Sequence, residues 1–158
     1  MTPTVILLLA FAIGVVTGLR SLTAPAAVSW AAHYKWLHLH GTLLAFLAYT
    51  PAAILFTLGA LFELVVDKLP STPSRTAPPG LIARFLLGAL SGAAVSTSGG
   101  QSLALGAILG AAAGIAGAFA GYQVRTRLVK ALHVPDIVIA LAEDALAICA
   151  AFFIVSRS

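Results

Sequence analysis

The spacing of its interruptions constrains this chain more than any other feature. Apolar runs follow one another from Thr4 to Val155 and are parted only by short polar breaks. A bilayer core about 30 Å thick is crossed by about 20 apolar residues in a helix. It holds no water to satisfy exposed backbone groups, so helices are the favoured way to thread it. Composition points the same way. Hydrophobic residues make up 60% of the chain and charged residues 9%, against about a quarter charged in an ordinary globular domain. Too few polar side chains remain to cover a soluble surface. The net charge of +4 is small and forms no stripe of the kind that binds nucleic acid. The basic residues read instead as topology signals, and the partner implied is the lipid bilayer.

In chain order, residues 4–19 form a first apolar segment. Arg20 and Pro25 then break it, because proline disfavours helix in the residue before it. Segment 26–34 is too short to cross alone and is either a thin crossing or a re-entrant piece. Trp30, Tyr34 and Trp36 resemble an interfacial aromatic belt. His33, Lys35, His38 and His40 lie among them with no Cys, Asp or Glu nearby, which favours a solvated loop over a metal site. Segment 42–66 is long enough to cross with tilt, and Pro51 is expected to kink it. A polar, proline-rich connection covers 68–80. Segment 81–94 is expected to end in the break Ser96-Thr-Ser-Gly-Gly-Gln-Ser102. Segment 103–122 follows, then a basic loop reaching Pro135, then segment 136–155. The single cysteine, Cys149, reads as a small buried hydrophobe. The first apolar run carries no basic residue before it and reads as a retained helix.

The fold class expected is therefore all-α: a polytopic bundle of five or six helical segments forming one domain over 1–158. Phe11-Ala-Ile-Gly-Val-Val-Thr-Gly18 matches Phe85-Leu-Leu-Gly-Ala-Leu-Ser-Gly92 in residue type, and Ala60-Leu-Phe-Glu63 matches Ala140-Leu-Ala-Glu143. These matches suggest a duplicated unit of three elements, with halves 1–68 and 81–158 joined through 68–80. With three crossings each, the halves would be inverted. Both loops flanking the fourth and fifth segments are basic, so that side should be cytoplasmic. Gly106, Gly110, Gly114, Gly117 and Gly121 share one helix face at a spacing that lets backbones approach closely. They suit packing within the chain or a seam between copies.

Charges inside membrane helices are costly, so they face the bundle and pair. Glu63 and Asp67 are one turn apart on one face. Glu143 and Asp144 are adjacent and point about 100° apart, from the helix period. Arg20 is the natural counter-ion, since a buried guanidinium binds carboxylates in bidentate fashion. Arg20, Glu63, Asp67, Glu143 and Asp144 thus form the candidate polar site. Interrupted segments at matching positions point to a transporter or channel for an ion or small solute, built as a homo-oligomer. The alternatives are a non-transporting scaffold whose ion pairs lock helices together, or an enzyme acting on lipid headgroups. No catalytic motif, metal set or cofactor signature is present.

Three stretches together, Gly18-Leu-Arg-Ser-Leu-Thr-Ala-Pro25, the motif from Glu63 through Asp67, Lys68, Pro70 and Pro73 to Arg75, and Ala140-Leu-Ala-Glu-Asp-Ala-Leu-Ala-Ile148, resemble a family of small bacterial inner-membrane proteins known as domain of unknown function 4126. The resemblance covers nearly the whole chain. It implies a multi-pass helical protein of the bacterial cytoplasmic membrane and carries no activity with it. It marks Lys68, Pro70, Pro73 and Arg75 as a loop motif beside the acidic residues.

Overall fold

A computed structural model describes residues 1–68 and 75–158. Pro70 and Pro73 lie outside the described residues. The described residues fold into six α-helices with no strand: α1 (Pro3–Leu19), α2 (Thr23–His33), α3 (Thr50–Val66), α4 (Pro78–Ser98), α5 (Leu103–Leu132) and α6 (Asp136–Val155). Three of them, α4, α5 and α6, are long and apolar enough to cross a membrane, while α1 and α3 are shorter apolar helices. The chain is thus an all-helical protein suited to a bilayer, as its apolar runs require.

Three boundaries differ from expectation, each for a physical reason. Pro51 does not kink a long helix. It sits in the first turn of α3, where the N–H that proline lacks would have no helical partner anyway. The residues before it hold only a 3₁₀ turn, Ala45–Ala48. The first turn of α4 likewise carries proline. That helix runs through Ser96, Thr97 and Ser98, so the predicted seven-residue break shrinks to a tight turn in which Gly100 takes φ 72°. The basic stretch after Tyr122 is not a loop. With no glycine or proline before Pro135 to stop it, α5 continues to Leu132 and ends on the left-handed His133. Cys149 is also not buried: it lies exposed on the outer face of α6.

The centre of the bundle is a stack of glycine contacts between α1, α5 and α4. A Cβ on Gly14 would lie 2.5 Å from the Gly110 carbonyl oxygen, and one on Gly18 would lie 2.5 Å from that of Gly114. From the other side, a Cβ on Gly88 would lie 2.5 Å from the Gly110 oxygen. The stripe Gly106–Gly121 is therefore spent on packing within the chain, and that face is closed to a second copy. Helix α6 rests on α2 and α1 more than on α5.

The helices also share a polarity. α1, α3 and α5 finish at one end of the bundle, and α2, α4 and α6 begin there. After α2 the chain reaches the opposite end without further helix. Leu37 and Leu39 are buried, and the His38 N–H donates to Ser98 Oγ at 2.9 Å, at the far end of α4.

A candidate functional site of matched charges at a broken helix

The polar site is built where α1 stops and α2 starts. Arg20 adopts an extended backbone conformation (φ −139°, ψ 111°), which turns the chain out of one helix before it enters the next. A break of this kind leaves carbonyls unpaired at the end of α1 and N–H groups unpaired at the start of α2. Within protein, both sets need partners. Glu63 of α3 supplies one. Its carboxylate accepts from the Ser21 N–H at 2.7 Å, the Ser21 hydroxyl at 2.6 Å and the Leu22 N–H at 2.8 Å. Arg84 of α4 supplies the other, donating from Nε to the Gly18 carbonyl at 3.0 Å. An anion thus meets the positive end of α2 and a cation the negative end of α1, as the helix dipoles favour. The two charges also face each other at 3.8 Å.

The break projects the Arg20 side chain into the bundle, where it is fully buried. Its Nε donates to Asp144 Oδ1 of α6 at 2.6 Å, and its Nη1 pairs with Asp67 at the end of α3. Lys68 Nζ donates to the second Asp144 oxygen at 2.6 Å and to the Leu64 carbonyl at 2.6 Å. One arginine therefore joins carboxylates from α3 and α6, and a lysine completes the cluster. At this cluster only Asp67 and Lys68 keep appreciable side-chain exposure, each 21%, which puts its mouth at their end.

A third group lies beside it. Arg75, just before α4, grips Glu143 with both terminal nitrogens, at 2.5 Å and 2.8 Å. Arg125 of α5 approaches Glu143 at 3.6 Å and binds the Asp136 carboxylate in bidentate fashion. Glycine makes room for this: a Cβ on Gly121 would stand 3.0 Å from Arg75 Nη1 and 3.2 Å from Glu143 Oε1. All five Asp and Glu residues of the chain are thus ion-paired, with Arg20, Lys68, Arg75, Arg84 and Arg125 as partners.

The five predicted site residues come together at one end of the bundle but not around one point. Arg20, Asp67 and Asp144 meet directly. Glu63 sits behind them against the start of α2, and Glu143 turns toward Arg75 and Arg125. Lys68, expected as a loop residue, is a member of the cluster, and Arg75, expected likewise, holds Glu143 beside it. Arg84 and Arg125 belong to the basic residues expected only to mark topology, and both hold carboxylates. The signal available for Arg84 was its place within an apolar helical run; for Arg125 it was the absence of any helix breaker before Pro135. His33 hydrogen-bonds through Nδ1 with the Ala48 carbonyl at 3.1 Å and packs edge-on to Trp30. Among the described residues no His, Cys, Asp and Glu side chains gather into a metal-ligating group.

No curated protein and no solved structure matches the chain. A family model described as Domain of unknown function (DUF4126) matches residues 7–156. Since that match spans nearly the whole chain, including the Arg20 break and both acidic helices, the chain belongs to the DUF4126 family.

Proposed function

We propose that this protein is a small multi-pass transporter or channel-like protein of the bacterial cytoplasmic membrane. Its polar site is the cluster of Arg20, Asp67, Lys68 and Asp144, and its cargo is an ion or a small charged solute. The observation that carries the reading is the position of Arg20: a helix break sets a fully buried guanidinium between carboxylates from the two halves of the chain. Interrupted helices whose free ends hold charge are a recurring way of building ion and solute sites in membranes. In this reading the charge-matched cluster is the closed state. A cargo ion would enter by exchanging with one partner of Arg20 or Asp144.

The polarity of the helices supports six crossings with both termini outside and the basic end in the cytoplasm. The two halves, 1–68 and 81–158, each contribute three helices, which suits an inverted duplication. So small a bundle has little room to enclose a pathway, so a homo-oligomer belongs to the same proposal. The test is flux in proteoliposomes. Wild-type protein should pass at least one of protons, sodium, potassium or chloride faster than protein-free vesicles do. Asp67→Asn and Asp144→Asn should change that flux about tenfold.

A second reading has its own observation. Glu63 and Arg84 are fully engaged by backbone ends, as structural groups are. If the whole cluster is of that kind, the protein is a scaffold or a partner subunit. Wild-type vesicles would then be no leakier than empty ones, while both Asn variants would unfold at lower temperature.

A further inference from the structure

Helix α6 leans on α1 and α2, so a cleft of about 340 Å³ stays open between α1, α5 and α6. Val15, Leu19, Gly117, Val124, Ala142 and Leu146 are among the residues that line it. Its walls are almost wholly apolar, and they open sideways, toward the surface that lipid covers. At the charged end of the bundle the cleft reaches Arg125 and Glu143.

What lies beyond that end is basic. Helix α5 has 30 residues, a length of about 45 Å at 1.5 Å per residue, against a hydrocarbon core of about 30 Å. Its last turns therefore reach the headgroup layer. Val124 and Leu128 carry the cleft along α5, and Arg125 and Arg127 lie on either side of that stripe by helix geometry. Arg125 is committed to Asp136 and Glu143. Arg127 is exposed and makes no ion pair among the described residues. Leu128 lines the cleft and its chain neighbour Arg127 is exposed, so one uncommitted guanidinium stands beside the apolar slot at headgroup depth.

We propose that this cleft holds an acyl chain of one anionic phospholipid from the leaflet on the charged side, with the lipid phosphate at Arg127. Charge decides the headgroup class: Arg75, Arg125 and Arg127 stand against Asp136 and Glu143, and the unmatched charge is positive. The cleft opens sideways onto the lipid-covered surface, so an acyl chain reaches it without any partner protein; a helix of a second copy is the rival occupant that the test must exclude. An arginine binds phosphate with two parallel donors, which a zwitterionic choline headgroup weakens by its own positive charge. The site stands apart from the transport reading and involves none of the cluster around Arg20.

Native mass spectrometry of the purified full chain, released from vesicles of equal parts dioleoyl-phosphatidylglycerol and dioleoyl-phosphatidylcholine, tests this. The wild-type chain should retain one phosphatidylglycerol about ten times more often than one phosphatidylcholine. Ala142→Phe fills the slot and should abolish retention with the unfolding temperature unchanged; Ala120→Phe, on the facing wall, should do the same and guards against one variant failing to fold. Arg127→Gln should keep retention but lose the preference. Equal retention of both lipids, retention untouched by both Phe variants, or a dimer that either Phe variant dissolves would each overturn the proposal.

Discussion

Single residues carry most of the chemistry here, and Glu63 shows how. Its carboxylate is buried yet accepts three hydrogen bonds from the start of α2. Hydrogen bonds to a charged group contribute about 1.5–3 kcal/mol each, and removing one partner leaves the others unsatisfied. Glu63→Gln keeps the shape and loses the charge, so it should lower stability by about 2 kcal/mol, read as a lower unfolding temperature in detergent. Asp67 is the most exposed acid of the Arg20 cluster, so Asp67→Asn should destabilise less than Asp144→Asn in the same assay. Arg20 and the carboxylates are legible in sequence because charges in apolar runs are rare and costly. Arg84 also stands in an apolar run, but it lies near that run's start, where a basic residue reads as a topology mark, and sequence does not name the distant carbonyl it satisfies. Only the packing of α4 against the end of α1 assigns Arg84 to Gly18. The same holds for Gly121, whose missing side chain admits Arg75 and Glu143.

At the scale of the helices, small residues determine what can approach what. The α1–α5–α4 stack depends on backbones in near contact at Gly14, Gly18, Gly88 and Gly110. Gly114→Leu would push a side chain into the Arg84 carbonyl, since even a Cβ there lies 2.5 Å from it. Neither backbone can yield cheaply, so this change should leave little folded protein in a detergent size-exclusion profile. Pro51→Ala is the contrasting case. Proline in the first turn replaces no helical hydrogen bond, so stability should shift by about 0.5 kcal/mol or less. The same rule explains which elements were legible. Helix α6 runs over 136–155 as its apolar run indicates, because Pro135 marks its start and no charge blurs its end. The end of α5 was hidden because its final turns leave the apolar zone, and hydropathy alone reads emergence into water as a loop. The glycine face was legible as a close-packing face, but its partners, two helices of the same chain, were not.

At the scale of the whole molecule, a polar break in one helix is completed by elements far along the chain. Arg20 is 47 residues from Asp67 and 124 from Asp144. No local pattern in sequence encodes that meeting. What sequence does carry is the demand that these charges find partners in a low-dielectric interior. The six crossings proposed for the chain have their own test. In a Cys149→Ala background, Thr2→Cys and Ser156→Cys should both react with a membrane-impermeant maleimide added to intact cells, and Thr76→Cys should not. The central claim is that Arg20 and Asp144 form a buried pair across the two ends of the chain. A double-mutant cycle on unfolding in detergent, with Arg20→Met, Asp144→Leu and both together, tests it most directly. Each single change should cost about 3–5 kcal/mol, because it strands a buried charge. The double variant should recover at least about 1.5 kcal/mol of their sum, in the range measured for residues in one network. Additive losses, with a coupling below about 0.5 kcal/mol, would contradict the pairing on which the site is built.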